Sequence, residues 1–367
     1  MAPLCSEFRK NAFYAAGHQV GPKLRARHTT KAVVQEPPKK DVRKPRSENV
    51  GLDKKGAFFV DHTCIDCDTC RYMAPEFFKR KNSQSAVLTQ PQTQEERFQA
   101  FQALLSCPTY SIHVADKDRE TQQEAEASFP RNVDGLDNVF HCGFHSELSF
   151  GCASYLVTRP EGNVLVDVPR YVPKLLKRIQ AMGGAKYIFL THRDDVAEHA
   201  KWAKALGAER IMHIGETNSE QGTDQVEVKL EGDGPWTLPD GSQDMEIVLT
   251  PGHTEFHCCL VYKPKKVLFS GDHLAADKVA EWESDREPDG GKLGITRRFN
   301  WWRVDRQVES CEKLASYDWI HLLPGHGRPG RVADPADREH QIKLLAERER
   351  ARGLGTLEFD HSGIRAD

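Results

Sequence analysis

No run in this 367-residue sequence approaches the roughly 20 apolar residues that cross a bilayer, so no membrane-spanning helix is expected. Nothing marks the chain as secreted, which argues against a disulfide framework. No flavin-binding pattern is visible, and no basic patch is interleaved with aromatics. Charge is also scarce in one sense: residues 1–50 hold eleven Lys/Arg against four Asp/Glu, a net of +7, whereas the whole chain carries −3, which leaves −10 for residues 51–367. An acidic body of that kind makes nucleic acid an unlikely partner. The remaining composition, 38% hydrophobic and 29% charged, is globular, and the length suits two domains and a tail.

The first thirty-five residues contain a single acid, Glu7, with several Arg and no long apolar core. That suits an organelle transit peptide better than a secretory signal, although Ser is not enriched; a disordered basic tail is the plain alternative. Residues 1–50 are therefore expected to be transit peptide and linker. The stretch Lys39-Lys40-Asp-Val-Arg-Lys-Pro-Arg46 reads as flexible chain around the processing site. The expected destination is the chloroplast, with mitochondrion or cytoplasm as alternatives.

What is present begins with Cys64-Ile-Asp-Cys67-Asp-Thr-Cys70, then thirty-six residues, then Cys107-Pro108. A C-x2-C-x2-C run closed by a distant Cys-Pro wraps one cubane cluster, with three thiolates from one loop and the fourth from elsewhere. The proline keeps a helix from starting at Cys107. The plain alternatives are a zinc knuckle or disulfides; zinc prefers paired hooks or Cys/His mixtures, and disulfides at this spacing would be strained. The pattern resembles the single-cluster bacterial-type ferredoxins over about residues 56–116, which implies a 4Fe-4S cluster held by Cys64, Cys67, Cys70 and Cys107. Arg71-Tyr-Met-Ala-Pro-Glu-Phe-Phe78 is similar to the short helix and turn after the third ligand in that family, and such fusions suit a phototroph. Cys5, Cys142, Cys152, Cys258, Cys259 and Cys311 read as small apolar residues of a reducing compartment, with Cys258 and Cys259 on opposite faces of one strand. His62, near Cys64, can either tune the cluster by a hydrogen bond or be a surface residue.

Residues 94–106 carry Phe98, Phe101, Leu104 and Leu105 at helical spacing. Residues 116–128 are polar throughout and read as a linker or an exposed helix at a domain boundary. From about 136 the texture changes to short β-like runs (138–144, 153–158, 163–167), then helix 172–182, strand 186–191, helix 196–206 and strand 210–213. The second half continues with strands 245–250, 258–262 and 266–270, a helix near 304–316, strand 319–323 and a last helix over 335–351. Two sheets sandwiched between helices are expected, in an α+β chain with a C-terminal tail over 352–367.

Four points carry His or Asp just past strand ends: Thr191-His192-Arg-Asp194-Asp195-Val-Ala-Glu-His199, Thr250-Pro-Gly-His253-Thr254, Ser270-Gly-Asp272-His273, and Leu323-Pro-Gly-His326-Gly327. Gly beside such residues lets the backbone bend sharply and aim a ligand inward. The ordered set resembles the metallo-β-lactamase fold superfamily over about residues 136–351. Tyr155-Leu-Val, Gly162-Asn-Val-Leu-Val-Asp167 and the segment Phe299-Asn-Trp-Trp…Gln307…Ser310…Leu314…Tyr317 support the likeness. The resemblance implies an αββα sandwich with one or two metal ions at the strand ends, His192, His253 and His326 as ligands, and Asp272 bridging. The family's H-x-H-x-D-H motif is altered here, because the corresponding positions are His192, Asp194, Val196 and Ala197. Asp194 can replace an imidazole. Asp195 and His199, at i and i+4, share a helix face and either restore a ligand or base, or serve only as a cap and a solvated side chain. The harder donor set favours iron or manganese over zinc.

With zinc or iron present, metal-activated hydrolysis of a small thioester or phosphoester is the expected chemistry, with Asp194 and Asp195 to orient water and take its proton, and His273 as a substrate contact. The ferredoxin-like domain would then regulate the enzyme or dock a redox partner protein. Two further classes stay open: an oxidoreductase in which the cluster passes electrons to iron at the His/Asp site, and a sensor or binding protein that has lost catalysis. Trp301-Trp302 reads as packing or as a substrate mouth.

Overall fold

The computed structural model describes residues 43–116, 118–276 and 292–354. The expected transit peptide up to residue 42 and the tail from 355 lie outside the described residues.

Residues 56–116 form β1 (Phe58–Val60), α1 (Thr69–Met73), β2 (Phe78–Lys81), β3 (Gln84–Val87), α2 (Gln94–Ser106) and β4 (Ile112–Val114). β1 pairs antiparallel with β4, and β2 with β3. Asn82 and Ser83, both with positive φ (48° and 56°), supply the tight turn that matches the twist of the β2–β3 hairpin. α2 occupies the expected 94–106 and opens on a capping box in which Thr93 and Glu96 satisfy each other's backbone amides. Cys107 is its C-cap at φ −62°, ψ 120°, so Pro108 ends this helix rather than preventing a new one.

The flexible linker expected up to residue 50 does not extend past 44. Pro45 bridges to Asp61, and the buried Arg46 donates to the carbonyls of Ser85 and Lys81. Asn49 accepts from Val60 and Val87 and donates to Arg46 and Val60 carbonyls. A buried guanidinium must find such partners, and here they tie the segment to the hairpin.

The polar stretch after 116 becomes α3 (Arg119–Ala127), capped by Asp118, with only Thr121 and Ala125 buried. Then follow β5 (Arg131–Val133), β6 (Leu136–His141), β7 (Tyr155–Val157), β8 (Val164–Val166), α4 (Pro173–Ala181), β9 (Tyr187–Phe189), α5 (His199–Leu206), β10 (Glu209–His213) and β11 (Val228–Leu230). The second half contains β12 (Met245–Leu249), β13 (Cys258–Tyr262), β14 (Val267–Gly271), β15 (Ala275–Ala276), β16 (Leu293–Gly294), α6 (Val304–Leu314), β17 (His321–Pro324), β18 (Gly330–Arg331) and α7 (Pro335–Ala351). One sheet runs β11-β10-β9-β8-β7-β6-β5 and the other β12-β13-β14-β17-β18.

Strand alternation sorts the side chains into layers. Val164, Val166, Tyr187 and Phe189 meet Ile247, Leu260, Val267 and Phe269 between the two sheets. Val248, Cys259, Leu268 and Leu322 point outward under α6 and α7. Cys258 and Cys259 thus do face opposite ways. On the other outer surface Leu156, Leu165, Ile188 and Met212 lie in one apolar cluster with Leu175 and Ile179 of α4, Trp202 of α5, and Phe58, Phe78, Phe101 and Phe129. The cluster-binding part and the sandwich therefore share a continuous core.

Candidate metal and cluster site

The cluster loop turns on two aspartates. Asp66 and Asp68 adopt positive φ (61° and 67°), which winds the chain so that Cys64, Cys67 and Cys70 come from one tight loop. Their carboxylates hold the buried Arg71, and Arg80 adds a second cation on Asp66. The amides of Ser85 and Ser111 donate to the Sγ atoms of Cys64 and Cys107, each at 3.3 Å. Burial pushes the Cys67 thiol up to about 12 and raises Cys70 and Cys107 too. Four thiolates at such a place need the positive charge of bound iron, so the donor set fits a cubane. His62 is exposed and offers Gln84 only its carbonyl, so it is a surface residue.

The His/Asp motifs converge as expected from the ends of β9, β12, β14 and β17. His192 Nε2 lies 3.6 Å from Asp194 Oδ2, and 3.9 Å from both Asp195 Oδ2 and Asp272 Oδ2. His253 Nε2 is 3.5 Å from Asp194 Oδ2 and 3.6 Å from Asp272 Oδ2. These separations are too long for hydrogen bonds. His192 Nε2, Asp194 Oδ2, His253 Nε2 and both Asp195 oxygens are buried without a hydrogen-bond partner. Buried donors and acceptors that face one another without hydrogen bonds form a set that a cation would satisfy, so these residues fit a metal ion.

Electrostatics follow the crowding. Burial, then Asp272, raises the Asp195 carboxyl well above the usual range. Burial would lift Asp272 too, but His326, 2.9 Å away, holds it well below. Burial opposes charge on His326 as well, yet Asp272 and Asp195 raise it to about 10. His192 is lowered by burial and by His253.

Surrounding groups fix these rings. Thr191 Oγ1 meets His192 Nδ1 at 2.9 Å and Asp167 at 3.1 Å, which leaves Nε2 for the site. The buried Glu216 accepts from the amides of Arg193 and Phe256 and so clasps the loops of His192 and His253 together. Gly252 lies against α6, where a Cβ would meet the Gln307 backbone at 2.2 Å. Gln307 donates to the His273 carbonyl and accepts from Asn300, which donates to Gly252. His257 accepts from the Asp272 amide at 3.3 Å. Of these supports, Thr191, Asp167, Gly252, Asn300 and Gln307 stood in segments that the sequence singled out, whereas Glu216 and His257 did not.

Two expected site residues are placed elsewhere. His199 is buried at the start of α5, 3.0 Å from the Gln221 carbonyl and 3.2 Å from Arg210, neither solvated nor turned to the metal ligands. Asp195, instead of sharing a helix face with it, lies in the 3-10 turn Arg193–Asp195 and points into the site. His273 is fully buried behind Asp272; its Nε2 donates to the Gln307 carbonyl, and burial lowers it to about 3. It does not reach the cavity.

That cavity, of about 470 Å³, opens over Asp194, Asp195, His253, Asp272 and His326. Phe150, Leu274, Ile295, Phe299 and Trp301 give it apolar walls, and Thr296 and Arg298 a polar rim. Asp66, Cys67 and Asp68 of the cluster loop form another part of the wall.

Comparison with known proteins agrees with both halves. Residues 60–114 match the family model of the 4Fe-4S single cluster domain of Ferredoxin I, and residues 182–357 match that of the metallo-beta-lactamase superfamily. A hydroxyacylglutathione hydrolase of Rhizobium etli is 30% identical over 198 residues, which span 52% of this chain and 69% of the relative. Among solved structures, the TMB-1 enzyme is 18% identical over 60% of this chain and 98% of its own, with a TM-score of 0.44. A metallo-beta-lactamase family protein from Thermus thermophilus is 18% identical over 59% and 81%, with a TM-score of 0.39. The chain thus belongs to the metallo-β-lactamase superfamily, with a single-cluster 4Fe-4S ferredoxin domain ahead of its sandwich.

Proposed function

We propose that the protein hydrolyses a small thioester or phosphoester at the His/Asp site, and that the ferredoxin domain controls this reaction by redox state or by docking a redox partner protein. The observation that carries the reading is the set of partnerless atoms on Asp194, Asp195 and His253 at the floor of an apolar cavity, with the equally partnerless His192 Nε2 facing them. His192, Asp194, His253, Asp272 and His326 would hold one or two ions. A bound zinc or iron lowers the pKa of its water towards about 7 and polarises the scissile group. The chain supplies the remainder. Phe150, Phe299 and Trp301 exclude water from the floor, and Arg298 at the rim attracts an anionic substrate. Asp194 and Asp195 orient the attacking water and accept its proton. The Rhizobium etli relative, by its name, acts on an acylated glutathione, and this favours a thioester.

A second reading rests on Cys67, which shares the cavity wall with the His/Asp groups. There the cluster passes electrons to iron at that site, and the protein is an oxidoreductase. Elemental analysis of the full chain, followed by thioester hydrolysis assays, separates the two. Zinc with thioester turnover supports the hydrolase; iron that the cluster re-reduces supports the oxidoreductase. Metal content no greater than the cluster iron removes both.

A further inference from the structure

Val196 and Ala197 stand where the H-x-H-x-D-H pattern would supply two donors, so one side of the site needs ligands from elsewhere. Asp195 turns inward to give one of them, with both oxygens unpartnered and only 1% of the residue exposed. The other lies in a loop far away in sequence. Cys152 is buried after β6, held there by its amide on the Ser149 carbonyl and by the amide of Ala153 on the Gly325 carbonyl at 2.8 Å. Its Sγ, a carboxylate oxygen of Asp195 and a ring nitrogen of His326 all lie within 4.8 Å of one another.

Gly325 shows how tightly these atoms converge. A Cβ at that position would sit 2.9 Å from Cys152 Sγ, 3.0 Å from Asp195 Oδ2 and 3.1 Å from Asp272 Oδ1. Three donor atoms from three separate segments meet beside a residue where even a methyl group would crowd them. A plain buried thiol needs only an acceptor, and Cys152 has one in the Ala153 carbonyl at 3.2 Å. That contact does not account for the carboxylate beside it, whose two oxygens are buried without a hydrogen bond, an arrangement that is unfavourable unless a cation is present.

We propose that Cys152 is a thiolate ligand of a second metal position, completed by Asp195 and His326 and joined through Asp272 to the first position at His192, Asp194 and His253. The assignment rests on the metal-centre reading above. Binding releases the thiol proton to solvent as the metal–sulfur bond forms. A soft donor selects zinc or iron over manganese and magnesium, unlike a position built only from carboxylates and imidazoles. The same loop lies against the cluster-binding loop, since a Cβ on Gly151 would lie 3.2 Å from Cys67 Sγ.

Zinc K-edge X-ray absorption on the full chain, with its cluster iron in place and zinc added as the probe, tests the assignment without an activity assay. The expected result is a sulfur shell at about 2.3 Å next to nitrogen and oxygen at about 2.0–2.1 Å. Cys152→Ser should remove that shell and lower the zinc content, with cluster colour and circular dichroism retained. Bound zinc with nitrogen and oxygen alone in the wild type overturns the Cys152 assignment and leaves the metal centre standing, whatever becomes of the variant. A sulfur shell that survives Cys152→Ser also overturns it. No bound zinc at all overturns both readings.

Discussion

Arg328 grips Asp68 with two atoms: Nε lies 2.8 Å from Oδ2 and Nη2 3.2 Å from Oδ1, with both side chains buried. Asp68 sits between two cluster cysteines, and Arg328 follows His326 by two residues, so one ion pair joins the two inorganic sites. Arg328→Ala should cost about 3 kcal/mol in urea unfolding, the usual penalty for stranding one member of a buried pair. Arg328→Lys should recover only part, because an ammonium cannot match the two-atom contact. An unchanged unfolding midpoint in the Ala variant would show that Arg71 alone neutralises Asp68.

The two sites should be separable by mutation. Cys64→Ser is expected to abolish the visible absorbance of the purified chain and its cluster iron. Asp272→Ala should leave that colour intact and lower the metal content of the sandwich by about one ion per chain. Paired absorbance and elemental measurements on both variants check this. Full metal content in Asp272→Ala removes Asp272 from the ligand set.

Gly325→Ala tests the crowding by adding one methyl. Its Cβ would press on Cys152 Sγ, Asp195 Oδ2 and Asp272 Oδ1 at 2.9–3.1 Å, so these donors must move apart. Metal affinity at the sandwich should fall by about 10–100-fold, the range seen when the support of a ligand is disturbed. Equilibrium dialysis against zinc measures it. A wild-type affinity would mean that the donors do not converge in solution.

Acid should weaken the join between the two parts through His145. This buried ring donates from Nδ1 to the Gly151 carbonyl at 2.6 Å, and its Nε2 faces His141 at 2.9 Å and Tyr72 at 3.4 Å, with Arg170 on its carbonyl. Burial lowers it from the ordinary 6.5 to about 4, so the folded chain binds this proton less well than the unfolded chain. Its stabilising share is therefore complete above pH 6.5 and is lost as pH falls towards 4, at most about 3 kcal/mol. Urea midpoints at pH 7 and pH 5 should differ less in His145→Gln than in the wild type. Equal pH dependence would exclude His145 as the source.

Much of this was legible because it depends on local pattern. The helix at 94–106 carries its own caps, and strands such as 258–262 show their apolar runs without reference to the rest of the chain. Three of the four His/Asp turns could be read because glycine marks them, joined by proline before His253 and His326; the turn at His192 has neither and was read from its order in the set. What escaped depends on packing between distant segments. Asp195 and His199 share a face only if one helix contains both, but α5 begins at His199, and the residues before it form a 3-10 turn. Cys152 has no neighbouring motif at all; the Gly325 loop that gives it a role lies more than 170 residues further on. Arg46 looked like linker because its partners, the carbonyls of Ser85 and Lys81, belong to a hairpin formed later in the chain.

The continuous apolar cluster from Phe58 and Phe101 to Leu165 and Ile188 also limits how this protein can have changed. A module joined by a hinge can be traded between genes or cut away by a protease with little harm to its neighbour. Here removal of the first segment would uncover the part of the outer face that α4 and α5 leave to it, and the fragment would be drawn towards aggregation. The fusion, whatever its origin, has become hard to reverse.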